Sequence, residues 1–140
     1  MSVFVDTSAF IALMDADNVE YLKASKLWKN LLKRNEQLVT SNYVVVETCA
    51  LLHNRIGLPA VRIFLETILP VVLIEWIDIS VHTAGISSLL MSSRKGPNIV
   101  DCMSFAVMRK LGIKDAFTLD RHFADQGFTI IGADNRQHGG

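Results

Sequence analysis

Short apolar runs alternate with longer amphipathic ones along the whole chain, and this alternation restricts it to an α/β layer fold. Val3-Phe4-Val5, Leu38-Val39-Thr40, 73–77, 116–119 and Thr129-Ile130-Ile131 read as buried strands. The segments between them carry helical spacing. In 19–35, Leu27, Trp28 and Leu31 fall on one face and Lys26, Lys29 and Lys33 on the other. Helices are also expected at 8–14, from Ser41 or Asn42 to Ile56, and at 59–69, 81–92 and 99–111, with Gly57 and Gly112 as stops. Strands joined through helices run parallel. The expectation is therefore an α/β layer fold with a parallel sheet. A chain of 140 residues suffices for one such core and not for two. The domain is expected over 1–132, with a polar, Gly-rich tail at 133–140.

Half the residues are apolar and few are Pro or Gly, which excludes a disordered chain. Formal net charge is zero, so a nucleic-acid partner would need local charges or metal ions rather than a basic surface. Cys49 and Cys102 lack metal-finger spacing and read as reduced, buried thiols. No basic leader precedes Val3, and the most apolar stretch, 68–79, is short and broken by Pro70, Glu75 and Asp78. A cytoplasmic protein with no membrane partner is expected. His53, His82, His122 and His138 lack zinc-enzyme spacing, and His122 reads as structural or superficial. Trp28, Trp76 and the phenylalanines read as core.

Four acids stand out: Asp6, Glu47, Asp101 and Asp120. Asp6 and Asp120 follow apolar runs and fall at the carboxyl ends of strands. Asp101 opens a helix, and Glu47 lies inside one among apolar neighbours, where an acid is out of character. In a parallel sheet, strand ends and helix starts share one edge, where ligands bind. Clustered carboxylates repel unless a hard cation such as Mg²⁺ or Mn²⁺ neutralises them. Each acid also has an ordinary explanation. Asp6 and Asp101 suit helix caps, Asp101 within a capping-box spacing from Asn98, and Asp120 suits a turn. Glu47 is too far into its helix to cap it. Four such accidents on one sheet edge are a poor account of the pattern.

The segments carrying these acids resemble the motifs of PIN-domain ribonucleases, and specifically of VapC-type toxins of toxin–antitoxin systems. They are Phe4-Val5-Asp6-Thr7-Ser8-Ala9, Thr40-Ser41-Asn42-Tyr43-Val44-Val45-Val46-Glu47-Thr48, Asp101-Cys102-Met103-Ser104-Phe105-Ala106-Val107-Met108 and Thr118-Leu119-Asp120-Arg121-His122-Phe123 followed by Gln126-Gly127-Phe128. The likeness runs nearly end to end, with Asn98 where Ser or Thr is expected. It implies a three-layer α/β/α sandwich around a central parallel sheet, and a Mg²⁺- or Mn²⁺-dependent endoribonuclease that leaves a 5′-phosphate and a 3′-hydroxyl, with Asp6, Glu47, Asp101 and Asp120 as its acidic quartet. Asp6 and Asp101 would ligate the metal, with Glu47 and Asp120 completing the site directly or through water. Thr7, Ser8, Ser104 and Thr118 would orient acids or waters. Arg94 and Lys95, just ahead of the Asp101 helix, are placed to hold the RNA backbone. The same resemblance implies a homodimer and a small antitoxin that covers the acids. The alternative is a PIN-like RNA-binding or protein-docking module with little nuclease activity. A phosphatase on a layered fold is disfavoured, since no Gly-rich phosphate loop is present and Ser8 stands where a second nucleophile-motif Asp would be.

Overall fold

The structure, a computed structural model, describes residues 1–131. Five strands, β1 (Ser2–Val5), β2 (Gln37–Ser41), β3 (Leu73–Glu75), β4 (Asp115–Phe117) and β5 (Thr129–Ile130), form one sheet in the order β3-β2-β1-β4-β5. Every pairing is parallel, and the sheet with its helices forms the expected three-layer sandwich. Val3, Phe4 and Val5 are all buried, as a central strand covered on both faces requires. The chain steps outward from β1 to β2 to β3, then returns to the other side of β1 for β4 and β5. That reversal leaves a crevice at the carboxyl ends of β1 and β4, where such folds bind ligands.

The helices are α1 (Thr7–Met14), α2 (Tyr21–Lys33), α3 (Asn42–Arg55), α4 (Leu58–Ile63), α5 (Ile79–Leu90), α6 (Ile99–Leu111) and α7 (His122–Asp125). Most boundaries follow their caps. Ser41 Oγ accepts from Val44 N, Asp78 Oδ1 accepts from Val81 N, and Gly112 closes α6 at φ 69°. The helix expected over 59–69 is present but keeps α geometry only to Ile63. After α4 the chain widens, with Leu69 N donating to Phe64 O, and then tightens over Leu69–Val71 around Pro70. Phe64 is fully buried there, its ring centroid 4.9 Å from that of Phe10.

β4 ends at Phe117 rather than Leu119, and Thr118 Oγ1 and Leu119 N donate instead to Asp6 and Ser8 at the start of α1. The turn expected after Asp120 contains α7, and its Phe123 packs edge-on against Phe105 of α6 at 4.9 Å. This aromatic contact ties the middle of α6 to the segment that follows Asp120. Gly85 of α5 serves the same helix, since a Cβ there would collide with Met103. Trp28 is core as expected, but Trp76 is 68% exposed at the end of edge strand β3. Both cysteines are free, Cys102 buried and Cys49 only partly so. No helix among the described residues is long and apolar enough to cross a membrane. The tail expected at 133–140, with His138, lies outside the described residues.

Candidate active site

Asp6 caps α1 directly after β1, and its Oδ2 is held by hydroxyls. Ser8 Oγ donates to it at 2.8 Å and Thr118 Oγ1 at 2.9 Å. The same hydroxyls tie the two strand ends together. Ser8 Oγ accepts from Leu119 N at 2.9 Å, and Thr118 Oγ1 accepts from Asp120 N at 3.0 Å. Asp6 N also donates to Phe117 O at 3.0 Å, extending the β1–β4 register by one bond. The carboxylate thus sits in a bonded knot that spans the crevice.

Asp101 does two things at once. It completes a capping box with Asn98, whose N donates to Asp101 Oδ2 at 3.1 Å, and it also lies in the crevice beside Asp6 and Asp120. Asp120 leads into α7, with His122 N donating to its Oδ1 at 2.9 Å. His122 Nδ1 lies 2.8 Å from the same oxygen. His122 Nε2 is 3.2 Å from Lys95 O, joining the loop before α6 to the site. One donor atom each from Asp101, Asp120 and His122 lies within 4.8 Å of the other two.

Asp6, Glu47, Asp101 and Asp120 all line one cleft of about 310 Å³, together with Thr7, Ser8 and Asn98. Glu47 enters from α3, half-buried, and Leu51 and Arg55 line the cleft from the same helical face at successive turns. Arg55 is the one cation among those lining residues, and it went unnoticed in the sequence, although its spacing from Glu47 carried the signal. Asn18 also lines the cleft and was not singled out. Thr7 is buried with its Oγ1 unpartnered. Ser104 does not orient an acid here; its hydroxyl donates to Val100 O at 3.0 Å. Arg94 and Lys95 are exposed and outside the cleft lining.

Residues 3–128 match the sequence model of the PIN domain. The chain belongs to the PIN-domain family. It is 35% identical over 133 residues to the 23S rRNA-specific endonuclease VapC20 of Mycobacterium tuberculosis, a match covering 92% of this chain and 97% of that protein. The crystal structure of Mycobacterium tuberculosis VapC20, described as a Sarcin-Ricin loop cleaving toxin, superposes with a TM-score of 0.78 at 33% identity. That match covers 91% of this chain and 96% of the other. The likeness to VapC-type endoribonuclease toxins expected from the four acidic segments is therefore borne out.

The charges of this PIN-domain cleft fit a divalent cation. Burial pushes the Asp6 carboxyl above the ordinary range, opposed by the Ser8 and Thr118 hydroxyls. Burial, then the charges of Asp6 and Asp120, push Asp101 up to about 7. Among the described residues, no Lys or Arg forms an ion pair with Asp6, Glu47, Asp101 or Asp120. Burial disfavours a charged His122, but the Lys95 carbonyl and Asp120 outweigh it and raise its pKa. Closely set, mutually repelling carboxylates with no Lys or Arg paired to them suit a hard divalent cation.

Proposed function

We propose that this chain is a Mg²⁺- or Mn²⁺-dependent endoribonuclease and the toxin of a VapBC-type pair. The observation that supports it best is the convergence of Asp6, Glu47, Asp101 and Asp120, from four separate segments, on one cleft at the switch point of the sheet. Asp6, Asp101 and Asp120 are the residues to hold the cation. When bound, it stabilises charge on the scissile phosphate and eases deprotonation of the attacking water.

The chain's own groups position the rest. Ser8 and Thr118 fix Asp6, and the Asn98 amide fixes Asp101. Glu47, on the α3 wall of the cleft, orients the attacking water through a carboxylate oxygen. Arg55 holds a phosphate flanking the scissile one, and Arg94 and Lys95 meet the RNA further out. Arg55→Ala is expected to raise KM about tenfold with kcat nearly kept, and to lower the salt slope of RNA binding by about one.

The substrate is a structured ribosomal RNA, by extension from the similar VapC20 proteins. The partner is a small antitoxin whose basic side chain pairs with the same carboxylates. The protein works in the cytoplasm as a homodimer, for which exposed Leu22, Ile79, Leu90 and Met91 offer apolar surface. The test is cleavage of an RNA panel, including large-subunit rRNA, by antitoxin-free protein with Mg²⁺, with Mn²⁺ and with EDTA. Metal-dependent cutting that is lost in Asp6→Asn is expected. A folded protein that cuts none of these RNAs under any metal would favour the docking-module alternative.

A further inference from the structure

His122 has no role in the reading above, yet its ring is built into the site at both nitrogens. The Lys95 carbonyl can only accept, so at 3.2 Å it fixes the hydrogen on Nε2. That leaves Nδ1 directed at the acids. Nδ1 is buried, 2.8 Å from Asp120 Oδ1, and lacks an aligned hydrogen bond. A ring nitrogen and a carboxylate oxygen this close need a positive charge between them, either a proton or a cation. A proton would serve Asp120 alone. A cation would also engage Asp101, whose oxygen lies within 4.8 Å of both other donors.

We propose that His122 Nδ1 is a nitrogen ligand of the divalent cation, added to the carboxylates that hold it and nearest to those of Asp101 and Asp120. The proposal rests on the acidic cleft binding a divalent ion at all. Adjacent donors around such an ion are about 3 Å apart, close to the Nδ1–Oδ1 separation. The Nε2–Lys95 bond is the arrangement that sets a metal-binding imidazole, since the far N–H is anchored on a carbonyl and the near nitrogen keeps its lone pair. It also couples the Arg94–Lys95 loop to the ion. Mg²⁺ is bound through oxygen, whereas imidazole suits transition metals. His122 therefore biases the site toward Mn²⁺ and, more strongly, Co²⁺.

The test is calorimetric binding of Mg²⁺, Mn²⁺ and Co²⁺ to the full chain and to His122→Ala, His122→Gln and Asp101→Asn. Pulsed EPR of bound Mn²⁺ accompanies it, because nitrogen modulation appears there only when an imidazole nitrogen ligates. His122→Ala and His122→Gln are expected to lose about tenfold or more in Mn²⁺ and Co²⁺ affinity, with much less change for Mg²⁺. Nitrogen modulation is expected in the wild type and not in His122→Gln. An equal loss for all three ions would make His122 only a brace for Asp120, and that outcome overturns the proposal, as does no loss at all. Absent modulation in the wild type overturns it without any variant. If Asp101→Asn binds every ion like the wild type, the acidic-site reading itself fails, an outcome distinct from failure at His122 alone.

Discussion

Asp6 and Asp101 are nearly equally buried, at 3% and 6% exposure, yet the protein treats the two carboxylates in opposite ways. Asp6 is stabilised by bonds, with two hydroxyls on one oxygen that also lock β1 to the end of β4. Asp101 has one backbone donor and faces the charges of Asp6 and Asp120. A buried anion is costly unless bonded or neutralised. Asp6 has one oxygen braced within the chain, and Asp101 is left for something that arrives. One half of the site is a rigid mount, and the other is an unneutralised socket.

The comparison breaks first at the acids themselves. Asp6→Asn and Asp101→Asn should each cut kcat/KM by about a thousandfold or more, since each alters the charge around the scissile phosphate. They should diverge in metal-free stability. In EDTA at pH 8, Asp101→Asn should gain more against urea than Asp6→Asn, because it removes a charge repelled by two neighbours. If Asp6→Asn gains as much, the socket is not confined to the Asp101 side.

The second test is pH. The folded-state pKa of Asp101 is raised from 3.8 to about 7, so the folded protein binds more protons than the unfolded chain between those values. Its metal-free stability should therefore fall as pH rises from about 4 to about 7. Mg²⁺ or Mn²⁺ competes with those protons, so the ion-induced rise in Tm should be larger at pH 8 than at pH 5. Thermal scans with and without metal at both pH values check the sign. An equal rise at both would mean that Asp101 does not face the ion.

The mount is tested by Thr118→Val, which leaves Asp6 Oδ2 short of a donor and Asp120 N without its acceptor. The expected cost is about 2 kcal/mol in urea unfolding, most of it recovered in Thr118→Ser.

The acids were more legible in the sequence than the contacts around them. Asp6 after Val3-Phe4-Val5 and the Asn98–Asp101 cap are local signals, and a parallel sheet places both at one edge. Thr118 was read as part of the strand run 116–119 with a hydroxyl that orients an acid or a water, and only the fold shows that the acid is Asp6. The His122–Lys95 contact joins residues 27 apart, and no spacing rule announces it. Arg55 was within reach, as Glu47, Leu51 and Arg55 recur at the helical period. The helix expected over 59–69 is there but changes from α to π geometry at Phe64, which packs against Phe10, far away in sequence.

Ser104 and Ser8 make the smallest and sharpest contrast. Both were expected to orient an acid, and both hydroxyls are engaged. Ser8 donates to Asp6 and accepts from Leu119 N, so Ser8→Ala strips the mount on two sides and should cost about 1–2 kcal/mol, with a clear loss of activity. The Ser104 hydroxyl returns to Val100 O within its own helix. Removing such a back-bond costs a helix little, so Ser104→Ala should stay within about 0.5 kcal/mol of the wild type and within about twofold in activity. A tenfold loss of RNA cleavage in Ser104→Ala, with stability unchanged, would show that Ser104 turns toward the acids when substrate and metal are bound. The boundary between mount and socket would then have to be redrawn one turn deeper into α6.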